Sequence, residues 1–314
     1  MKAAIIGAGM WGKNIVRTLN AMDALDSVTE LDPGLRSGLV EAYPGITVYD
    51  NIDPVMKSGV SAVCIAVPAP WHYDIAKEAL ESGKNVFVEK PMTLSAKDSE
   101  DLVRIARERD KILMVGHLLL YQPAVQWIKQ AITSSTIGEH KSIHQHRLGL
   151  GRARDVENVL WSLGVHYVAV ALFLIGNKPE TIEAQGQRVL QPTIEDDVHV
   201  HMTFPGGVQN YLHCSWLWPI KDRGMVLIGS KGMLVYNELE QNVTLHRKTV
   251  GSDLKNIDNG SELVYEGSGQ PLTLELTHFL ECCTQRKTPI SNGESGVEVI
   301  KVLQAAAEKF NQVD

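Results

Sequence analysis

Two side chains in this sequence could manage a proton and stand in surroundings that would aim them. Lys90 follows the apolar run Asn85-Val86-Phe87-Val88 within Glu89-Lys90-Pro91, and the proline restricts it to extended backbone. A lysine in a partly desolvated cleft loses some preference for the charged form and can donate or relay a proton. The same spacing would equally serve a surface ion pair with Glu89, so spacing alone leaves both readings open. His166 lies within the apolar stretch Leu160–Gly176, where a hydrogen-bonded core histidine is the commonplace reading. Ser162 stands four positions earlier and Asn158 a further turn back, a polar stripe that points one helical face toward a cleft.

A third constellation is built for binding. Ala3-Ala4-Ile5-Ile6 reads as a buried strand, and Gly7-x-Gly9-x-x-Gly12 as a tight turn into a helix beginning near Lys13. Gly7 permits the turn, Gly9 lets backbone approach a pyrophosphate, and Gly12 lets helix and strand pack closely. The helix N-terminus then offers unpaired N–H groups to the phosphates. Val28-Thr29-Glu30-Leu31-Asp32 reads as a second strand, and Asp32, twenty residues after Gly12, takes the place of a ribose-binding carboxylate. This pattern predicts a dinucleotide. NAD is expected over NADP, because Asp32 would face a 2′-phosphate with like charge.

The elements that must position these residues alternate. Strands are predicted at Ile46–Tyr49, Val60–Val67, Asn85–Val88 and Ile112–Gly116, with helices at Leu35–Tyr43, His72–Ser82 and Ser95–Asp110. That alternation specifies a doubly wound parallel sheet, a Rossmann-type α/β domain over residues 1–117. Its ligands belong beyond the carboxyl ends of the strands, where Gly7–Gly12, Pro68–His72 and Glu89–Pro91 fall. Residues 118–314 read as an α+β domain with a large, mostly antiparallel sheet. It has helices at Pro123–Thr133, Glu157–Ile175, Leu272–Arg286 and Glu294–Asn311, and a loop is expected over Val250–Gly269.

Composition narrows the partners. A 314-residue chain that is 44% hydrophobic and 21% charged can bury two cores. A net charge of −7 argues against nucleic acid or an anionic membrane as a main partner. The longest apolar run, Val159–Gly176, contains His166 and Ser162 and falls short of a membrane span. Met1-Lys2 leads directly into the first strand, leaving no room for a signal peptide, and Cys64, Cys214, Cys282 and Cys283 form no CxxC pair. A cytoplasmic protein with reduced thiols is expected. His144 and His146 share one strand face, as do His199 and His201 on another strand. They could chelate zinc if the strands were neighbours, but a sheet face or subunit contact is the simpler reading, and no metal is expected. Asp196-Asp197 reads as a solvated turn.

Together these motifs resemble the Gfo/Idh/MocA family of NAD(P)-dependent sugar oxidoreductases over essentially the whole chain. The resemblance rests on Gly7-Ala8-Gly9-Met10-Trp11-Gly12, Val67-Pro68 with His72, Glu89-Lys90-Pro91, Val115-Gly116-His117, Gly138-Glu139, Gly164-x-His166 and Gly229-Ser230-Lys231-Gly232. It implies that Lys90 and His166 are the catalytic pair. It also implies that Met10, Trp11, Val67, Pro68, His72, Glu89 and Lys90 join the glycines and Asp32 at the cofactor, and that the second domain's sheet mediates a homo-dimer or tetramer. Many family members carry aspartates four residues before and three after the histidine, where this chain has Ser162 and Ala169. The segments His117–Pro123, Leu148–Arg154 and Glu157–Ser162 are similar to the subgroup that includes UDP-N-acetylglucosamine 3-dehydrogenases. That similarity implies a nucleotide-activated hexosamine, with Tyr121, Asn158, Trp161 and Ser162 at the sugar. Arg147, Arg152 and Arg154, three arginines within eight residues of an acidic chain, would suit its diphosphate. Solvated loop charges paired with Asp155 and Glu157 are the plainer account. The alternatives are a dehydrogenase of a free sugar or polyol, and an NAD-binding sensor that does not turn over.

Overall fold

The computed structural model describes residues 1–151, 153–267 and 269–310. It divides into two compact units. The first joins Met1–Leu118 to Gln270–Lys301, and the second joins Leu119–Gly269 to the residues from Val302 on. The sequence reading divides the chain once, at residue 117; the compact units divide at Leu118/Leu119 and again around Gln270–Lys301, which belongs to the first unit.

The first unit opens with β1 (Ala3–Ile6), α1 (Gly12–Ala21), β2 (Leu25–Thr29), α2 (Pro33–Ala42), β3 (Thr47–Tyr49) and α3 (Asp53–Lys57). It continues with β4 (Ala62–Ile65), α4 (His72–Glu81), β5 (Asn85–Glu89), α5 (Ala96–Glu108) and β6 (Leu113–Gly116). The six strands pair in parallel in the order β3-β2-β1-β4-β5-β6. Every residue of β1, β4, β5 and β6 is buried, as a sheet covered on both faces requires. The order reverses between β1 and β4, and a crevice for ligand opens at the carboxyl ends of such strands.

The second unit holds α6 (Pro123–Thr133), β7 (His140–Leu150) and α7 (Val165–Ile175). After these come β8 (Thr181–Gln187), β9 (Asp197–Thr203), β10 (Gln209–Ser215), β11 (Leu217–Gly229), β12 (Met233–Asn237), β13 (Asn242–Val250) and β14 (Asn256–Glu266). These strands form one sheet, β14-β13-β12-β11-β7-β10-β9-β8, antiparallel except where β10 runs parallel to β7. The fold class is thus the expected one, a parallel Rossmann sheet followed by a large, mostly antiparallel sheet. Alternation decides which face is covered. Val198, Val200 and Met202 of β9 are buried, and so are Ile143 and Gln145 of β7, where Gln145 donates to the Tyr167 carbonyl of α7 at 3.2 Å. The opposite face carries the histidines between these positions.

Three expectations fail here for identifiable reasons. The segment read as a loop contains β14, nearly all of whose residues are exposed; an edge strand paired on one side carries little hydrophobic signal. Asp196 is not a solvated turn. It is fully buried and accepts from Val189 N, Leu190 N and the Trp216 indole at 2.8, 2.7 and 2.5 Å. The zinc geometry weighed for His144/His146 with His199/His201 does not form, because β10 lies between β7 and β9.

The chain closes with α8 (Pro271–Gln285) and α9 (Gly293–Phe310). Within the first unit, Phe279 of α8 sets its ring 5.8 Å from that of Phe87 of β5. No helix among the described residues is long and apolar enough to cross a membrane.

Candidate active site

The glycine loop of the first unit is shaped by sterics. Gly7 has φ +90°, and a Cβ there would lie 2.8 Å from the Ala66 carbonyl oxygen. A Cβ on Gly12 would overlap the Gly7 carbonyl oxygen, whereas one on Gly9 would meet nothing within 4 Å. The loop is therefore tight at its ends and open in the middle, the form a pyrophosphate needs. Helix α1 starts without a side-chain cap and without an acidic residue in its first turn, and although Lys13 N and Asn14 N donate to the Gly9 and Trp11 carbonyls at 3.2 and 2.8 Å, no carboxylate competes with an anion for the positive end of the helix. Met10 and Trp11 stand exposed beside it. These features fit a dinucleotide.

The acidic residue at the end of β2 is not the expected one. The strand stops at Thr29, and Glu30 comes next. Its carboxylate accepts from Ala8 N at 2.8 Å, inside the glycine loop, and from Asp32 N at 3.0 Å. Asp32 caps α2 instead, accepting from Leu35 N at 2.8 Å. The signal was present in the sequence: Asp before Pro reads as an N-cap followed by N1. Arg36 donates to the carbonyls of Glu30 and Leu31, at 2.9 and 2.7 Å, and braces this turn.

At the end of β5, Lys90 is half-buried and its peptide bond to Pro91 is cis. Glu89 is buried beside it, accepting from the Trp11 indole at 2.6 Å and from Lys90 N at 3.2 Å. Burial raises the Glu89 carboxyl to about 7, against the pull of the Trp11 hydrogen bond and the Lys90 charge. Glu275 is also buried and is held well above the usual carboxylate range by burial and by Glu89. Two imidazoles complete the surroundings, both pushed below the usual histidine value by burial, in His72 against the opposing pull of two carbonyls. His72 is clamped between the Pro91 and Val67 carbonyls, at 2.8 and 2.9 Å, and so fastens two loops to each other. The structure gives it that bracing role in place of the expected cofactor contact. His117, at the end of β6, is buried with no hydrogen-bond partner on either ring nitrogen among the described residues, and burial lowers it to about 3. Sequence reasoning quoted His117 only as part of a motif; its unused hydrogen-bonding capacity marks it as a site residue. Val67 is half-buried and Pro68 exposed beyond the end of β4.

Glu89 carries a prediction. Its folded value lies above its unfolded one, so its stabilising contribution is full below about pH 4.5 and is lost as pH rises toward about 7. Glu89→Gln keeps an acceptor for Trp11 and removes the titration. The variant is expected to gain on the wild type between about pH 5 and pH 8, by at most about 3 kcal/mol. Urea denaturation at the two pH values measures this, and an equal pH slope in both proteins would contradict it.

In the second unit, the predicted helix over Glu157–Ile175 is two helices. Leu160–Gly164 is a π turn, and α7 begins at Val165. Such turns recur at functional sites. The spacing from Ser162 to His166 therefore crosses a junction of helix types. His166 lies in the first turn of α7 and is half-buried; Ser162 is buried and Trp161 half-buried. Asn158 caps this segment, accepting from Trp161 N at 3.1 Å and donating to Glu195 at 2.7 Å. Tyr121 is buried at the end of a short 3₁₀ turn, Leu118–Tyr121. Ala169, where relatives of the family pattern would carry an aspartate, is buried among the apolar residues of α7.

The three arginines separate. Arg147 turns inward to a buried cluster, its Nη1 3.3 Å from Glu238, which also accepts from Tyr167 OH at 2.5 Å and has Arg223 Nη1 at 3.7 Å. Arg147 shares this one carboxylate with Arg223, and the Nε of each arginine is buried without a hydrogen-bond partner among the described residues, so the structure places Arg147 in a buried cluster whose positive charge is only partly matched. Arg152 lies outside the described residues. Arg154 stays 40% exposed, and its one ion pair among the described residues is a long one, 3.9 Å to Glu157.

A parallel sheet with an open glycine loop at its switch point defines a dinucleotide-binding fold, and comparison with known proteins gives the family. Residues 1–117 match the model described as oxidoreductase family, NAD-binding Rossmann fold, and residues 125–235 match the GFO/IDH/MocA C-terminal domain. The chain belongs to the Gfo/Idh/MocA family of NAD-dependent oxidoreductases. It is 23% identical to a UDP-N-acetylglucosamine 3-dehydrogenase of Acidithiobacillus ferrooxidans, over 99% of each chain. A crystal structure of that enzyme superposes with a TM-score of 0.89 over 99% of this chain and 98% of the other, at 21% identity. It is also 27% identical to the scyllo-inositol 2-dehydrogenase (NAD(+)) of Bacillus subtilis, over 83% of this chain and 78% of that protein.

Proposed function

We propose that this enzyme oxidises a hydroxyl of a nucleotide-activated hexosamine, reversibly, with NAD. The full-length similarity to a UDP-N-acetylglucosamine 3-dehydrogenase carries the substrate class. The π turn leading into His166, and an exposed Arg154 ahead of it, support it. His166 takes the hydroxyl proton as general base, and the Lys90 ammonium polarises the same oxygen. The nicotinamide ring, when bound, accepts the hydride at C4. Glu30 takes over the role first assigned to Asp32 and receives the hydroxyls of the adenosine ribose, while the loop of Gly7, Gly9 and Gly12 and the start of α1 receive the pyrophosphate. Tyr121, Trp161 and Ser162 line the sugar side. A free polyol is the second reading, favoured by the similarity to an inositol dehydrogenase.

Competition separates the two. A site built for a diphosphate binds UDP without the sugar, so UDP is expected to compete with the sugar substrate at millimolar concentration or below. Arg154→Ala is expected to raise KM for a UDP-sugar by about tenfold or more, the loss of a charge-assisted pair, and to leave KM for NAD unchanged. Turnover of a free polyol with no inhibition by UDP would assign the enzyme to the second class.

A further inference from the structure

We propose that Asp197, His199 and His213 form a binding site for a divalent transition metal of the zinc, cobalt or nickel type, on the histidine-bearing face of the eight-stranded sheet. The strands supply the arrangement. β9 and β10 are antiparallel neighbours, and His199 lies directly opposite His213 in their register. Asp197, two residues before His199, points to the same face. The His213 Nε2 is 3.0 and 3.2 Å from the two Asp197 carboxylate oxygens, and His199 Nε2 is 3.8 Å from the nearer one. One ligand atom from each residue lies within 4.8 Å of the other two. Bonds of about 2.0–2.1 Å to a tetrahedral ion set ligand atoms about 3.3 Å apart, a spacing His213 and Asp197 already meet and the exposed His199 reaches by changing its rotamer.

The surroundings favour an ion over a plain ion pair. The His199 and His213 rings stack with centroids 3.9 Å apart and planes at 16°, a packing that resists two positive rings; the in-plane lone pairs run nearly parallel in this stack, so binding an ion turns the exposed His199 ring out of it. Trp218 meets the His213 ring edge-on at 5.4 Å and limits its rotation. Other histidines on this face are engaged elsewhere: His146 with Asp222 at 2.9 Å, His201 with Gln209 at 2.6 Å. The open coordination positions face a cavity of about 640 Å³, whose lining includes His144, Glu183, Gln185 and Tyr211. Two imidazoles and one carboxylate select borderline transition metals over magnesium or calcium, which prefer an all-oxygen set. The site uses neither Lys90 nor His166 and does not depend on the substrate assignment.

The test uses the full chain without a histidine tag, stripped with a chelator and titrated with Co²⁺ by absorbance and with Zn²⁺ by calorimetry. One ion per chain is expected, with a Co²⁺ spectrum of low coordination number and a rise in Tm when Zn²⁺ is added. Asp197→Asn and His213→Asn are expected to weaken binding at least about tenfold to a hundredfold. His199→Ala provides the control against misfolding, since that side chain is 65% exposed, and is expected to weaken binding similarly. His246→Asn, on β13 and outside the cavity lining, leaves binding unchanged. No saturable binding below millimolar metal, or undiminished binding by His199→Ala, overturns the proposal.

Discussion

Replacing His166 by Asn is expected to lower kcat by about 10²–10⁴-fold while NAD affinity stays within a few-fold of wild type. The size of the effect follows from the role: a general base takes the hydroxyl proton as the hydride leaves, and an amide cannot. Asn is close in size to imidazole, and His166 is half-buried at the first turn of α7, so the helix should keep its packing. A core histidine would give the opposite pattern, a lower Tm with unchanged activity per folded molecule. Lys90→Met makes the parallel test in the first unit. Its ammonium works against the ionisable groups Glu89, His72 and His117 around it, and Met keeps the length while removing the charge. A kcat loss of similar order is expected, measured by NADH formation under saturating cofactor. Wild-type turnover in either variant would remove that residue from the mechanism.

The second large effect separates two carboxylates that stand two residues apart. Glu30→Ala is expected to raise KM for NAD by about tenfold to a hundredfold, the loss of charge-assisted bonds worth about 1.5–3 kcal/mol, and to narrow the preference for NAD over NADP. Asp32→Ala is expected to leave cofactor preference alone and to cost about 1 kcal/mol of stability, the usual loss of an N-cap. The geometry decides between them: Glu30 reaches Ala8 N in the glycine loop, while Asp32 is spent on Leu35 N. Measuring kcat/KM for both cofactors in both variants gives the answer, and a cofactor effect in Asp32→Ala with none in Glu30→Ala would reverse the assignment.

The first unit was legible because its signals are local. Strands buried on both faces write themselves as unbroken apolar runs, and Gly7, Gly9 and Gly12 mark the turn by type and spacing. The exchange of Asp32 for Glu30 came from extending β2 by three residues, and boundaries carry the weakest sequence signal. The second unit was less legible because its decisive features are long-range. A π turn has no residue signature. The burial of Asp196 depends on Trp216, twenty residues away, and that of Arg147 on Glu238, in another part of the sheet. The exposed face of β14 hid a strand for the same reason: pairing with β13, and not its own pattern, makes it one.

The central claim is that hydride passes from a sugar carbon to NAD. Its most direct measurement is to incubate the purified enzyme with NAD and UDP-N-acetylglucosamine deuterated on its ring carbons, then weigh the nicotinamide product. The account predicts NADH one deuterium heavier, formed in proportion to a keto-sugar. Unlabelled cofactor with no keto product, from this substrate and from deuterated free polyols alike, would contradict it.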